Sequence, residues 1–156
     1  MLAELDRQGI AARVPHAGRM CLLDRVLHWD ERSLRCAAIS HRDADNPLRE
    51  PAGLSTLAGI EYAAQAAAVH GSLLHGATSP RNGVLAALRN VTATRPWLHQ
   101  VTEEIEIEVT LLHSDAAGGV FAFALFAGRE NLLSGQFTLM YVGHDRGSNG
   151  FRGEQV

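Results

Sequence analysis

Residues 54–75 read LSTLAGIEYAAQAAAVHGSLLH, twenty-two residues in which Glu61 is the one formal charge. At a rise of about 1.5 Å per residue, a helix over this segment is about 33 Å long, enough to cross a small domain. It is apolar on nearly every face, so it has to be covered on every face, which one flat sheet beside it cannot do. A curled antiparallel sheet wrapped around a single long helix, with a second subunit completing the cover, satisfies the constraint. A membrane span is the competing reading. Glu61, Gln65, His70 and the many small residues argue instead for a buried helix of a soluble protein.

The flanking sequence supplies that sheet. Residues 104–111 alternate polar and apolar without a break (Glu104, Ile105, Glu106, Ile107, Glu108, Val109, Thr110, Leu111), the period of a strand with one wet face. Strands are predicted over 20–29 and 34–40, joined by the turn Asp30, Glu31, Arg32, Ser33. Further strands fall at 82–91, 120–126 and 137–142, the last two separated by a turn at Gly128–Asn131. Phe121, Phe123 and Leu125 share one face of their strand. A short helix opens the chain. With 156 residues, no repeats and no linker, one domain over 1–142 is expected, followed by a polar, glycine-rich tail at 143–156.

All 14 basic residues are arginine. Without lysine, Schiff-base, pyridoxal-phosphate and phosphate-loop lysine chemistry are excluded. A net charge of -3, with no arginines gathered on one face, argues against nucleic acid as a partner. Cys21 and Cys36 have no metal-ligand spacing and read as buried free thiols of a reducing compartment. The N-terminus forms no continuous apolar stretch, so a cytoplasmic location is expected. The eight histidines show no metal-site pairing, and neither metal nor cofactor is expected.

Glu61 is the anomaly within the helix, because burial of an unpaired carboxylate costs several kcal/mol. Gln65, one turn on, has the spacing to hydrogen-bond that carboxylate and fix its rotamer. His16, in PHAGRMCLLDRV, and His41 and Asn46, in the loop HRDADNPLREPAGL, are the other candidates. The loop histidine His41 reads as exposed. That loop runs into the helix start, where free backbone N–H groups favour developing negative charge.

PHAGRMCLLDRV resembles the opening of the hot-dog-fold 3-hydroxyacyl-ACP dehydratases of the FabZ and FabA type, and GIEYAAQAAAVHG resembles their central-helix segment. RNGVLAALRNVTATRP matches the strand that follows in character, and the resemblance spans residues 10–142. The sequence as a whole resembles the ApeP-like branch associated with aryl-polyene biosynthesis. The resemblance implies an α+β hot-dog fold, a dimer with itself or a related dehydratase subunit, and a substrate carried on the phosphopantetheine arm of acyl carrier protein. It also implies a site made of a helix acid and a histidine from opposite subunits. Glu61 matches the acid, whereas Asn46 or Pro47 stands where the family's HFPG-type motif places histidine. Three arrangements follow: His16 or His41 replaces the base, Glu61 performs both proton transfers, or the chain completes a site on a different subunit. Glu61, His16 and Asn46 are thus the expected catalytic positions, and Gln65, Gly53, Leu57, Phe121 and Phe123 the expected substrate-binding ones. Arg42, Arg49, Arg81 and Arg95 are candidate contacts for the acidic carrier. The alternatives are a thioesterase on the same fold and a non-catalytic acyl-binding or heterodimer partner.

Overall fold

A computed structural model of the chain describes residues 5–14, 18–76 and 83–142. The elements run α1 (Arg7–Ala11), β1 (Arg25–Trp29), β2 (Ser33–Ala38), α2 (Gly59–His75), β3 (Gly83–Ala93), β4 (Ile105–Asp115), β5 (Gly118–Ala127) and β6 (Glu130–Tyr141). The six strands form one antiparallel sheet in the order β1-β2-β4-β5-β6-β3. The connection through α2 therefore carries the chain from β2, next to one edge of the sheet, to β3 at the opposite edge, and α2 packs on β2, β4 and β5. This is the expected hot-dog arrangement of a curled sheet around one helix. None of the described helices is long and apolar enough to cross a membrane.

The alternation along β4 places Ile105, Ile107 and Val109 in the core and leaves Glu106 and Glu108 outside, where Arg35 of β2 meets Glu108. Phe121, Phe123 and Leu125 of β5 also point inward, and both phenylalanines pack against Phe137 at ring centroid distances of 5.7 and 5.4 Å. The β1–β2 turn closes as its composition suggests: the Asp30 carboxylate accepts from the Arg32 and Ser33 amides, both at 2.8 Å. Cys21 and Cys36 are buried and free, and burial raises both thiols' pKa values.

Two boundaries differ from expectation. Residues 20–24 do not join β1, because Met20 and Leu22 give their backbone groups to a side chain of α2. The regular helix begins at Gly59 rather than Leu54. Leu54, Ser55 and Thr56 instead pair their backbones with residues 96–99, through bonds such as Leu98 N to Leu54 O at 2.8 Å. A 3-10 turn at Thr56–Ala58, capped by Ser55, then leads into α2. Gly59 lies so close to the sheet that a Cβ there would come 2.6 Å from Leu125 Cδ2.

The cover over α2 is incomplete. Tyr62, Gln65, Ala66, Val69 and His70 are buried, while Glu61, Ala64, Ala68 and Gly71 form a half-buried stripe at helical spacing. Beyond the helix, the edge strand β3 leaves Val84, Leu85 and Leu88 exposed. An apolar edge strand and an open helix stripe on one chain leave surface for a second subunit to cover.

Two fully buried histidines make the fold sensitive to acid. His41 Nε2 lies 3.0 Å from Val101 O and His70 Nε2 lies 2.8 Å from Asp30 O. Burial lowers both pKa values below the ordinary 6.5. The unfolded chain therefore binds protons that the folded one refuses, and stability falls as pH drops below about 6.5. The melting temperature should decline between pH 7.5 and pH 5, and His70→Gln, which keeps an N–H donor but does not titrate, should flatten that slope.

Candidate functional site

Glu61 opens onto a cleft of about 520 Å³ lined by Leu48, Glu50, Ser55, Leu57, Ala58, Ile60 and Leu85. The helix start, the loop before it and the edge strand each contribute a wall. Glu61 is half-buried within the single chain, not enclosed as the sequence suggested, because it falls on the open stripe of α2.

Gln65 does not hold Glu61. Its amide turns into the core, where it is 2% exposed, accepts from Leu22 N at 3.0 Å and donates to Met20 O at 2.6 Å. Four residues advance a helix by about 40° beyond a full turn, enough here to carry Gln65 from the open stripe onto the buried face. Its role is to pin the chain ahead of β1 to α2.

Asn46 is likewise committed elsewhere. It is 5% exposed, accepts from Leu48 N at 2.9 Å, and donates to Ser40 O at 2.9 Å and to Tyr62 Oη at 3.0 Å. Ser40 Oγ donates to Leu22 O and lies 2.7 Å from Tyr62 Oη. Since Tyr62 accepts from Asn46 and Ser40 spends its proton on Leu22, the phenol donates to Ser40, and the relay has one direction. Burial raises the Tyr62 pKa, keeping the phenol protonated as this relay requires. Asn46 faces a separate cavity of about 350 Å³, shared with Arg7, Asp24, Ile39, Ser40, Arg42, Asp43 and Pro47, not the Glu61 cleft.

His41 is buried rather than exposed, with one nitrogen on Val101 O. His16 and Arg81 lie outside the described residues. The expected anion-binding amides at the helix start are engaged: Thr56 N on Pro96 O, Leu57 N on Ser55 Oγ, Ala58 N on Ser55 O and Gly59 N on Leu57 O. The capping that ties this segment to residues 96–99 consumes them. Phe121 and Phe123 belong to the core, and the apolar lining of the cleft is Leu48, Leu57, Ile60 and Leu85. Of the arginines, Arg42 donates to Thr102 O and Arg95 pairs with Glu130. No group of three or more potential metal ligands occurs among the described residues.

Gly53 shapes the cleft's outer loop. Glu50 N donates to Gly53 O at 3.0 Å, and Gly53 N donates to Glu50 O at 2.9 Å, closing a tight turn. Gly53 has φ +130, and a Cβ there would lie 2.1 Å from Cε1 of His99, whose Nδ1 accepts from Leu54 N. Sequence reasoning passed over Glu50, Ser55 and Leu85. Glu50 alone left a signal, as the last carboxylate before the helix.

A family model described as ApeP dehydratase, ApeP-like, matches residues 8–145. The chain belongs to the ApeP-like dehydratase family. No curated protein matches it. Among solved structures, the ApeP-like chain resembles the dehydratase heterocomplex ApeI:P from Xenorhabdus doucetiae, with TM-score 0.75 and 23% identity over 86% of this chain and 91% of the other. A mutant thioesterase from Pseudomonas aeruginosa aligns with TM-score 0.51 and 16% identity over 76% and 80% of the two chains. An HP0420 homologue from Helicobacter felis gives 0.59 and 12% identity over 86% and 88%. Together, family and fold make this a hot-dog protein of the ApeP-like dehydratase family.

Two variants test the roles assigned here. Gln65→Leu leaves a buried amide and carbonyl unsatisfied and should cost about 2–4 kcal/mol in denaturant unfolding. Gly53→Ala should cost about 2 kcal/mol or more, and His99→Ala should rescue it only partly, since the backbone conformation stays strained.

Proposed function

We propose that this ApeP-like chain dehydrates 3-hydroxyacyl thioesters carried on acyl carrier protein, in the cytoplasm, as part of fatty-acid or aryl-polyene type biosynthesis. The observation that carries the reading is the position of Glu61: a carboxyl group on the central helix, opening into a cleft with apolar walls. Dehydration removes a proton from the carbon beside the thioester and returns one to the departing 3-hydroxyl. Glu61 delivers the second proton. The acyl chain lies against Leu48, Leu57, Ile60 and Leu85, and the phosphopantetheine arm enters from the rim.

A second subunit, either another copy or a related dehydratase, covers the open stripe of α2 and the edge of β3. The exposed Val84, Leu85 and Leu88 support that assembly, as does likeness to a chain of a dehydratase heterocomplex. With Asn46 buried in the Tyr62 relay, the histidine position of the wider family carries no base here. His16, the sequence candidate for that step, lies outside the described residues.

Purified protein, alone and mixed with a related dehydratase subunit, would be incubated with 3-hydroxyacyl carrier protein and the products resolved by mass. Loss of one water is expected, and Glu61→Gln should slow it by about 10²–10⁴-fold. Release of the free acid would instead mark a thioesterase. No change in either mixture, with Glu61→Gln behaving like its parent, would leave a non-catalytic partner.

A further inference from the structure

Glu61 shares its cleft with a second carboxylate, Glu50. Of the described residues lining that cavity, Glu50, Ser55 and Glu61 are the ones whose side chains can exchange a proton or a hydrogen bond. Ser55 Oγ already accepts the Leu57 amide, and a serine hydroxyl without a basic neighbour does not abstract protons from carbon. Asn46 and Gln65 are spent on buried hydrogen bonds, and His41 is fully buried and does not line the cleft.

Glu50 is also held in place. Its backbone N–H and C=O both bond Gly53, Pro51 restricts the turn between them, and the His99 ring packs on Gly53 while its Nδ1 anchors Leu54. Two strands of evidence thus meet at one residue: a chemically competent side chain in the cleft, and a stiff turn that presents it there.

We infer that Glu50 is the group that takes the C2 proton in the dehydration proposed above, and the inference rests on that reading. A Glu50 carboxylate oxygen binds the C2 proton, and the C2–H electron pair becomes the C2=C3 bond. The C3–O bond breaks, and the carboxyl proton of Glu61 leaves with the hydroxyl as water. The thioester C–S bond stays intact. Glu50, exposed at the rim, then gives its proton to solvent, and Glu61 recovers one.

The assignment is tested on the reaction itself. The full chain, with its related subunit, would be incubated with 3-hydroxybutanoyl N-acetylcysteamine thioester carrying hydrogen or deuterium at C2, and loss of water read by mass. Glu50→Gln should lower the rate by about 100-fold or more, and Glu50→Asp, which keeps a carboxylate, should recover part of it while enlarging the C2 isotope effect. Unfolding curves of the variants matching the parent's show that the fold is intact. Unchanged dehydration in Glu50→Gln, or dehydration abolished by His16→Gln alone, overturns the assignment and leaves the dehydratase reading standing. A parent that does not dehydrate defeats both.

Discussion

Gln65 is buried on the inner face of α2, so each end of its amide needs a partner or costs about 1–3 kcal/mol. Both partners lie on the chain ahead of β1, at Met20 O and Leu22 N. The Asn46, Tyr62, Ser40 relay ends at the carbonyl of the same Leu22. Two polar devices on neighbouring turns of α2 therefore converge on one short stretch of backbone. The seating of the helix against the first hairpin and the loop before it follows from satisfying them together.

That seating divides α2 lengthwise. The side carrying Tyr62, Gln65 and His70 is closed, and the hydrogen bonds these residues make are to the surrounding fold. The other side carries Glu61, Ala64, Ala68 and Gly71 at the surface of the single chain, next to the uncovered edge of β3. The chemistry proposed above lies on the second side, on a side chain at the surface of the single chain. The Gly53 turn and Ser55 cap build the opposing wall, and the amides they consume shift the burden of charge handling onto side chains.

Much of the sheet was legible in advance because the period of two in β4 and the inward phenylalanines of β5 are properties of neighbouring residues. Glu61 was legible too, as a charge in an apolar run. What escaped depended on partners far away in sequence. Gln65 looked like a neighbour of Glu61 until its bonds to residues 43 and 45 positions earlier were seen. His41 looked like a loop histidine because nothing local reports that Val101 encloses it. The helix start slipped from Leu54 to Gly59 because pairing with residues 96–99 outcompeted helix propagation. Asn46 was singled out for standing where a family expects histidine, and the structure gives it a different duty.

The central claim is that the Glu61 side of α2 receives the substrate while the Asn46 and Gln65 side only holds the fold together. A crystal structure of the chain with its partner subunit and a non-hydrolysable 3-hydroxyacyl thioester analogue tests it most directly. The account predicts the 3-hydroxyl within hydrogen-bond reach of Glu61, with Asn46 still bonded to Tyr62 and Gln65 to Leu22. An acyl group seated against Asn46 or Gln65, with the Glu61 cleft empty, would contradict it.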